Sequence, residues 1–161
     1  MTRFRALSVF VVLVGLVPSA SADYWADGLA ESQFQGTVYA MAVFDDGSGP
    51  ALYVGGELGF MADDGQANYI AKWDGVSWTR LGAGTNGPVR ALCVWDDGTG
   101  PALFVGGEFT LTGGGAANHV AKWDGVSWSS LATGTDGPVH ALIGFNDGSG
   151  SALYVGGEFQ H

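Results

Sequence analysis

The stretch ALYVGGE at residues 51–57 decides how this chain is read, because it returns as ALFVGGE at 102–108 and as ALYVGGE at 152–158. The separations are 51 and then 50 residues. A fixed period of that size marks a chain in which one supersecondary unit stacks on the next. The rest of the unit recurs in the same order. GPVRAL (87–92) returns as GPVHAL (137–142), with GTVYAM (36–41) as the earlier counterpart, and WDGVSW (73–78) returns unchanged at 123–128. The residue lost from the second period falls between Glu108 and Asn118, which places the length change in a loop.

Within one period, short apolar runs alternate with turn chemistry, the pattern of an all-β unit. VYAMAVF (38–44) holds almost nothing polar and reads as a strand covered on both faces. DDGSGP (45–50) turns the chain, ALYVGG makes a second strand, NYIAKW (68–73 with Asn68 leading) a third, and SWTRL from Ser77 a fourth. Helical periodicity is missing after the first 22 residues. The expectation is a four-stranded antiparallel sheet per repeat.

The doublets Gly55-Gly56, Gly106-Gly107 and Gly156-Gly157 end the second strand, where a missing Cβ permits close backbone approach. No lysine or Walker spacing follows them, so a phosphate loop is the weaker reading. In WDGVSW the Asp-Gly pair suits a tight hairpin and sets Trp73 beside Trp78, and Trp123 beside Trp128. One sheet cannot bury such rings on both faces. Each sheet therefore presses on its neighbour, with the indoles as contact surface.

These residues resemble the kelch-type repeat: a period near 50, an aliphatic-aromatic strand ending in Gly-Gly, and an aromatic-Asp turn leading to a second aromatic. The pattern is also similar to the repeats of secreted bacterial proteins and of the fungal cortical marker protein. The resemblance implies blades of a β-propeller, here about two and a half repeats of an incomplete ring. Kelch repeats usually carry Tyr where this chain has Trp73 and Trp123. The expected division is 1–22 signal peptide, 23–35 lead-in or partial strand, 36–86 first repeat, 87–136 second repeat, and 137–161 partial third repeat. A blade face of about 300 Å² by strand spacing is worth on the order of 7 kcal/mol of burial. Open end faces are thus expected to favour self-association.

The first 22 residues read as an export signal: Arg3 and Arg5, the apolar run ALSVFVVLVGLV (6–17), then Pro18 and the small residues Ala20, Ser21 and Ala22. An apolar run that short falls below the roughly 20 residues of a membrane span. The expected location is secreted or extracytoplasmic. All 16 acidic residues lie beyond that segment, so the remainder is more acidic than the whole chain's −10. Such a surface repels phosphate backbones and anionic lipid, which excludes nucleic-acid and membrane partners from the expectation. Cys93 is the single cysteine; no internal disulfide is available, and its apolar run reads as core.

Catalysis needs convergent unlike groups, and few are apparent. His119 replaces Tyr69 and His140 replaces Arg90 and Tyr39 in the repeat, so both read as strand-surface residues. Some kelch-type propellers are copper-containing sugar oxidases, but the Tyr, Cys and His set that the resemblance would require is not found here. The acidic turns place Asp45, Asp46, Asp96, Asp97 and Asp147 as calcium candidates, since calcium takes several oxygens from one loop. EF-hand spacing is absent, and a plain turn with Asp accepting local N–H bonds explains the same letters. No cofactor is expected. Glu57, Glu108 and Glu158 also recur, as do Lys72 and Lys122; the reading is Glu–Lys pairs between neighbouring strands, against the alternative of an acidic rim serving as a cation or partner site. The expected function is a non-catalytic binding or scaffold module for protein or glycan partners, discriminating through residues 58–67 and 109–117. The alternative is a fragment of a secreted propeller enzyme, a sugar oxidase or polysaccharide-active protein, whose catalytic residues lie elsewhere.

Overall fold

The computed structural model describes residues 35–62 and 65–160. The export-signal reading of 1–22 and the lead-in up to residue 34 lie outside these residues. The described chain is all-β. Strands β1 (Gln35–Asp45), β2 (Pro50–Ala62), β3 (Gly65–Trp73) and β4 (Trp78–Arg80) form one antiparallel sheet in sequence order. A second sheet repeats that order with β5 (Val89–Asp96), β6 (Pro101–Gly107), β9 (Val120–Trp123) and β10 (Trp128–Ser130). The short strands β7 (Leu111–Thr112) and β8 (Gly115–Ala116) form a small hairpin between β6 and β9. Strands β11 (Val139–Asn146) and β12 (Ser151–Gly157) pair as a third hairpin.

Local chemistry fixes the turns. Asp45 Oδ1 accepts from the N–H groups of Gly47 and Gly49, whose φ angles of 95° and 111° favour glycine. The tryptophan hairpin is wider than the sequence suggested. Trp73 pairs with Trp78, so four residues form the loop, and only Gly75 takes a positive φ, of 99°. Asp74 Oδ1 accepts from the N–H groups of both Val76 and Ser77 at 2.8 Å, doing locally what a two-residue turn does by backbone alone. The indoles meet across the strands, with ring centroids 5.2 Å apart for Trp73 and Trp78 and 5.3 Å for Trp123 and Trp128.

The sheets bury one face against the next. Ala42, Phe44, Ala51, Tyr53 and Ile70 of the first sheet share a core with Leu103, Val105, Ala121 and Trp123 of the second and with Phe109 in the loop after β6. Trp128 closes this junction by donating its indole N–H to the Leu81 carbonyl at 2.8 Å. At the opposite end β5 packs beside β1, and β11 beside β5, so the first strands of successive repeats are neighbours. On the other face of the first sheet, Val54, Leu58, Ala71 and Trp78 form a second cluster, with Trp73 packed against it.

The first strand is not covered on both faces as its composition suggested. Phe44 is buried, but Met41 and Val43 on β1 are exposed. A run of apolar letters cannot report that one face of β1 has no facing sheet among the described residues. Cys93 is partly buried, not enclosed.

Candidate functional site

Each repeat breaks its strand ladder at the same place. Val38 pairs with Gly56 and Ala40 with Gly55, leaving Tyr39 as an extra, unpaired residue. Arg90 is extra in the same way between Val89 and Ala91, and His140 between Val139 and Ala141. A bulge of this kind re-aims one side chain and recurs beside binding sites in other proteins. The double glycine makes it possible. A Cβ on Gly56, Gly107 or Gly157 would strike the backbone carbonyl of Thr37, Pro88 or Pro138 within the same repeat. The preceding glycine serves the junction instead. A Cβ on Gly106 would lie 2.5 Å from Val139 Cγ1, and one on Gly55 would collide with Val89.

The three bulge residues each reach the glutamate that follows the doublet. Tyr39 donates its hydroxyl to Glu57 at 3.2 Å, Arg90 Nε donates to Glu108 at 2.9 Å, and His140 Nε2 lies 3.3 Å from Glu158. The Arg90 guanidinium also stacks over the Tyr39 ring, 4.0 Å from its centroid. Because β1, β5 and β11 are neighbours, a phenol, a guanidinium and an imidazole stand in a row, each backed by a carboxylate. The scaffold is the same three times and the chemistry differs each time.

This arrangement corrects the Glu–Lys pairing expected from the repeat. The glutamates pair with bulge residues, and the lysines pair with the first turn. Lys72 Nζ lies 2.5 Å from Asp46 Oδ2, and Lys122 Nζ lies 2.8 Å from Asp97 Oδ2. Asp46 Oδ2 also accepts from the Tyr53 hydroxyl at 2.8 Å, while its Oδ1 accepts from the Ser48 N–H and hydroxyl. Burial works to raise the Asp46 pKa, but the bonds from Lys72, Ser48 and Tyr53 outweigh it and hold the carboxyl well below the usual range. Burial and the Asp46 bond push the Tyr53 hydroxyl up. Lys122 and then Thr99 bring Asp97 down to about 2.

The calcium candidates are therefore engaged as turn acceptors. Asp45 and Asp96 each accept two glycine N–H bonds, and Asp147 accepts from Ser149 and from the Tyr154 hydroxyl. Among the described residues, no three His, Cys, Asp or Glu side chains converge as a metal site would need.

Of the variable stretches, 109–117 is described in full. Asn86 pins it by accepting from the N–H groups of Thr110 and Leu111, both at 2.8 Å, and Gly113 donates to the Gly84 carbonyl. An open cleft of about 330 Å³ lies beside it, walled by Asn68, Tyr69, Asn86 and Leu111. Tyr69 and His119 occupy equivalent sites with φ of 61° and 64°, unusual for bulky side chains. The preceding asparagines hold these bends: Asn68 and Asn118 donate side-chain N–H bonds to the carbonyls of Ala83 and Thr133. Comparison with protein-family models, with curated proteins and with solved structures finds no match to this chain.

Proposed function

We propose that this chain is an exported, kelch-like propeller segment that acts as a non-catalytic binding or scaffold module for protein or glycan partners. The observation that supports it best is the row of bulge residues. A repeated backbone holds Tyr39, Arg90 and His140 at one equivalent position against Glu57, Glu108 and Glu158. Unlike side chains on a like scaffold discriminate between ligands, because the strands fix the positions and the residues set the chemistry. A phenol stacked by a guanidinium, flanked by carboxylates, suits the apolar face and hydroxyl edges of a sugar or a polar peptide.

The test is a glycan array and a protein pull-down with the purified chain and its Tyr39→Ala/Arg90→Ala/His140→Ala variant. A partner bound by the wild type, without turnover, and at least tenfold more weakly by the variant is the expected result. Equal binding by both proteins removes the row as the recognition surface, and chemical conversion of the bound glycan removes the non-catalytic reading.

A further inference from the structure

Strands β2, β6 and β12 carry the same recurring word, but they do not have the same neighbours. β2 lies between β1 and β3, and β6 between β5 and β9, so each is paired along both edges. β12 pairs with β11 alone, and the N–H and C=O groups of its other edge meet no strand among the described residues. On that side the complete sheets end in β4 and β10, each three residues long, and so short a strand is a poor template for another. β12 presents seven residues, Ser151–Gly157, with neither a charge nor a proline to blunt the edge.

The complete sheets show twice, in one register, what this edge accepts. Lys72 stands opposite Tyr53 and Lys122 opposite Phe104. In residues 70–73 and 120–123 each lysine follows a β-branched residue and a fully buried alanine, and precedes a tryptophan. Each lysine crosses to the acidic turn. Lys72 Nζ bonds to Asp46 and lies 2.7 Å from Ser48 Oγ, and Lys122 Nζ bonds to Asp97 and lies 2.6 Å from Thr99 Oγ1. Both ammonium groups also sit over the ring they face, 6.0 Å from the Tyr53 centroid and 5.8 Å from that of Phe104. The hairpin repeats the receiving half of this arrangement. Asp147 Oδ1 accepts from the N–H and hydroxyl of Ser149 at 2.9 and 2.6 Å, as Asp97 Oδ1 accepts from Thr99, and its Oδ2 accepts from the Tyr154 hydroxyl at 3.3 Å. Among the described residues no strand pairs with β12 to bring it a lysine.

We propose that β12 is a docking edge for an extended segment of another protein, added antiparallel, in which β-branched, small, lysine and aromatic residues follow one another. The lysine of that segment stands opposite Tyr154 and bonds to Asp147 and Ser149, while its main chain pairs with the outward N–H and C=O groups of β12. Main-chain bonds supply the affinity of such an added strand, and its alternating side chains the selectivity. A second copy of this chain is the weaker occupant. Its own segments of this chemistry are built into β3 and β9 with their lysines engaged and their alanines buried, so offering one would take a sheet apart. Charge points the same way, because a chain of net charge −10 repels its copy and attracts a cationic strand. The Asp147 turn lies at the opposite end of the hairpin from His140 and Glu158, so this edge is separate from the row of bulge residues.

The test is an NMR titration of the purified chain with the synthetic peptide ANHVAKWD, the sequence of residues 117–124, up to about 1 mM. Two control peptides carry glutamate in place of the lysine, or proline in place of the central valine and alanine. Successive N–H groups of a strand point to opposite sides, so the proline pair removes at least one that faces β12. The expected result is amide shifts along residues 153–157 and at the Asp147 turn, and no binding of the proline peptide. Asp147→Asn keeps an oxygen for Ser149, so its circular dichroism and melting should match the wild type, yet it should bind the lysine peptide about threefold more weakly, the scale of an exposed ion pair. Absence of shifts at the highest peptide concentration overturns the proposal, as do shifts confined to the row of bulge residues. Equal binding of the glutamate or proline peptide, or an Asp147→Asn variant that binds as the wild type does, overturns it as well. Sedimentation of the chain alone covers the other occupant: a dimer weakened by Asp147→Asn would assign the edge to a second copy and overturn the choice of a separate protein.

Discussion

Tyr53 and Tyr154 occupy the same place in the same seven-residue word, yet one is fully buried and the other is 44% exposed. Their own sheets are nearly alike. Each faces an aromatic on the preceding strand, with Phe44 and Tyr53 rings 5.6 Å apart and Phe145 and Tyr154 rings 6.0 Å apart, and each directs its hydroxyl to the turn aspartate. What differs is the neighbour. The first sheet has the second pressed against it, and the hairpin has no following sheet among the described residues. Burial in this architecture is a property of the junction, as nearest-neighbour stacking requires.

That comparison breaks most readily at the tyrosines. Tyr53→Ala should cost about 3–5 kcal/mol, the range for truncating a large buried aromatic, and Tyr154→Ala under about 1 kcal/mol. Urea unfolding followed by tryptophan fluorescence measures both. Equal losses would mean that the hairpin face is covered in solution. The glycine doublets sharpen the same contrast. Gly106→Ala forces a Cβ into Val139 and should cost about 1–3 kcal/mol. Gly156→Ala has open space and should be neutral, or stabilising by about 0.4–1 kcal/mol through the unfolded chain. Gly107→Ala and Gly157→Ala should both destabilise, because each second glycine avoids a carbonyl of its own repeat.

Trp95 of the second sheet faces Gly144 of hairpin β11–β12, and one repeat earlier the same positions hold Phe44 and Val94, a size exchange that makes a smaller, paired prediction. Gly144→Val places a side chain against Trp95 and should destabilise the hairpin. Trp95→Phe restores the combination found at 44 and 94. The double variant should recover about 1 kcal/mol relative to the sum of the singles, a coupling of the size seen between touching residues. Additive losses would show that the indole and Gly144 do not compensate one another.

The period, the strand count and the turn residues were legible because each is local or is written more than once. Even the indole contact followed from the need to cover a large ring. The candidate site was not legible for a different reason. A bulge leaves no letter of its own, since Val38, Tyr39 and Ala40 look like any three strand residues, and its cause, Gly56 against the Thr37 carbonyl, lies across the ladder. The lysines were misassigned because Asp46 and Lys72 are 26 residues apart and meet only when β2 lies between their strands. The exposed residues Met41 and Val43 of β1 were missed because composition cannot say which strand face has no facing sheet among the described residues. The recurrence of Tyr39, Arg90 and His140 at one repeat position was the available signal, and the structure supplies the reason for it.

The smallest expected effect separates the two acidic turns by pH. The Asp46 side chain is 10% exposed and sits against the Gly125 hairpin of the next repeat, whereas that of Asp97 is 30% exposed. Both carboxyls are held below their unfolded value near 3.9, so each contributes stability that is present above that value and lost as pH falls through the folded one. For Asp97, whose folded value is about 2, that window runs from about pH 4 down to about 2. Asp46 is lowered further, and its contribution should persist to more acidic solution. Carboxyl carbon shifts followed by NMR should therefore show Asp97 titrating first, and Lys122→Met should raise its midpoint while leaving that of Asp46 in place. If Asp46 instead titrates at or above Asp97, cover by the neighbouring hairpin does not strengthen the turn network, and the difference between closed and open junctions is one of apolar packing alone.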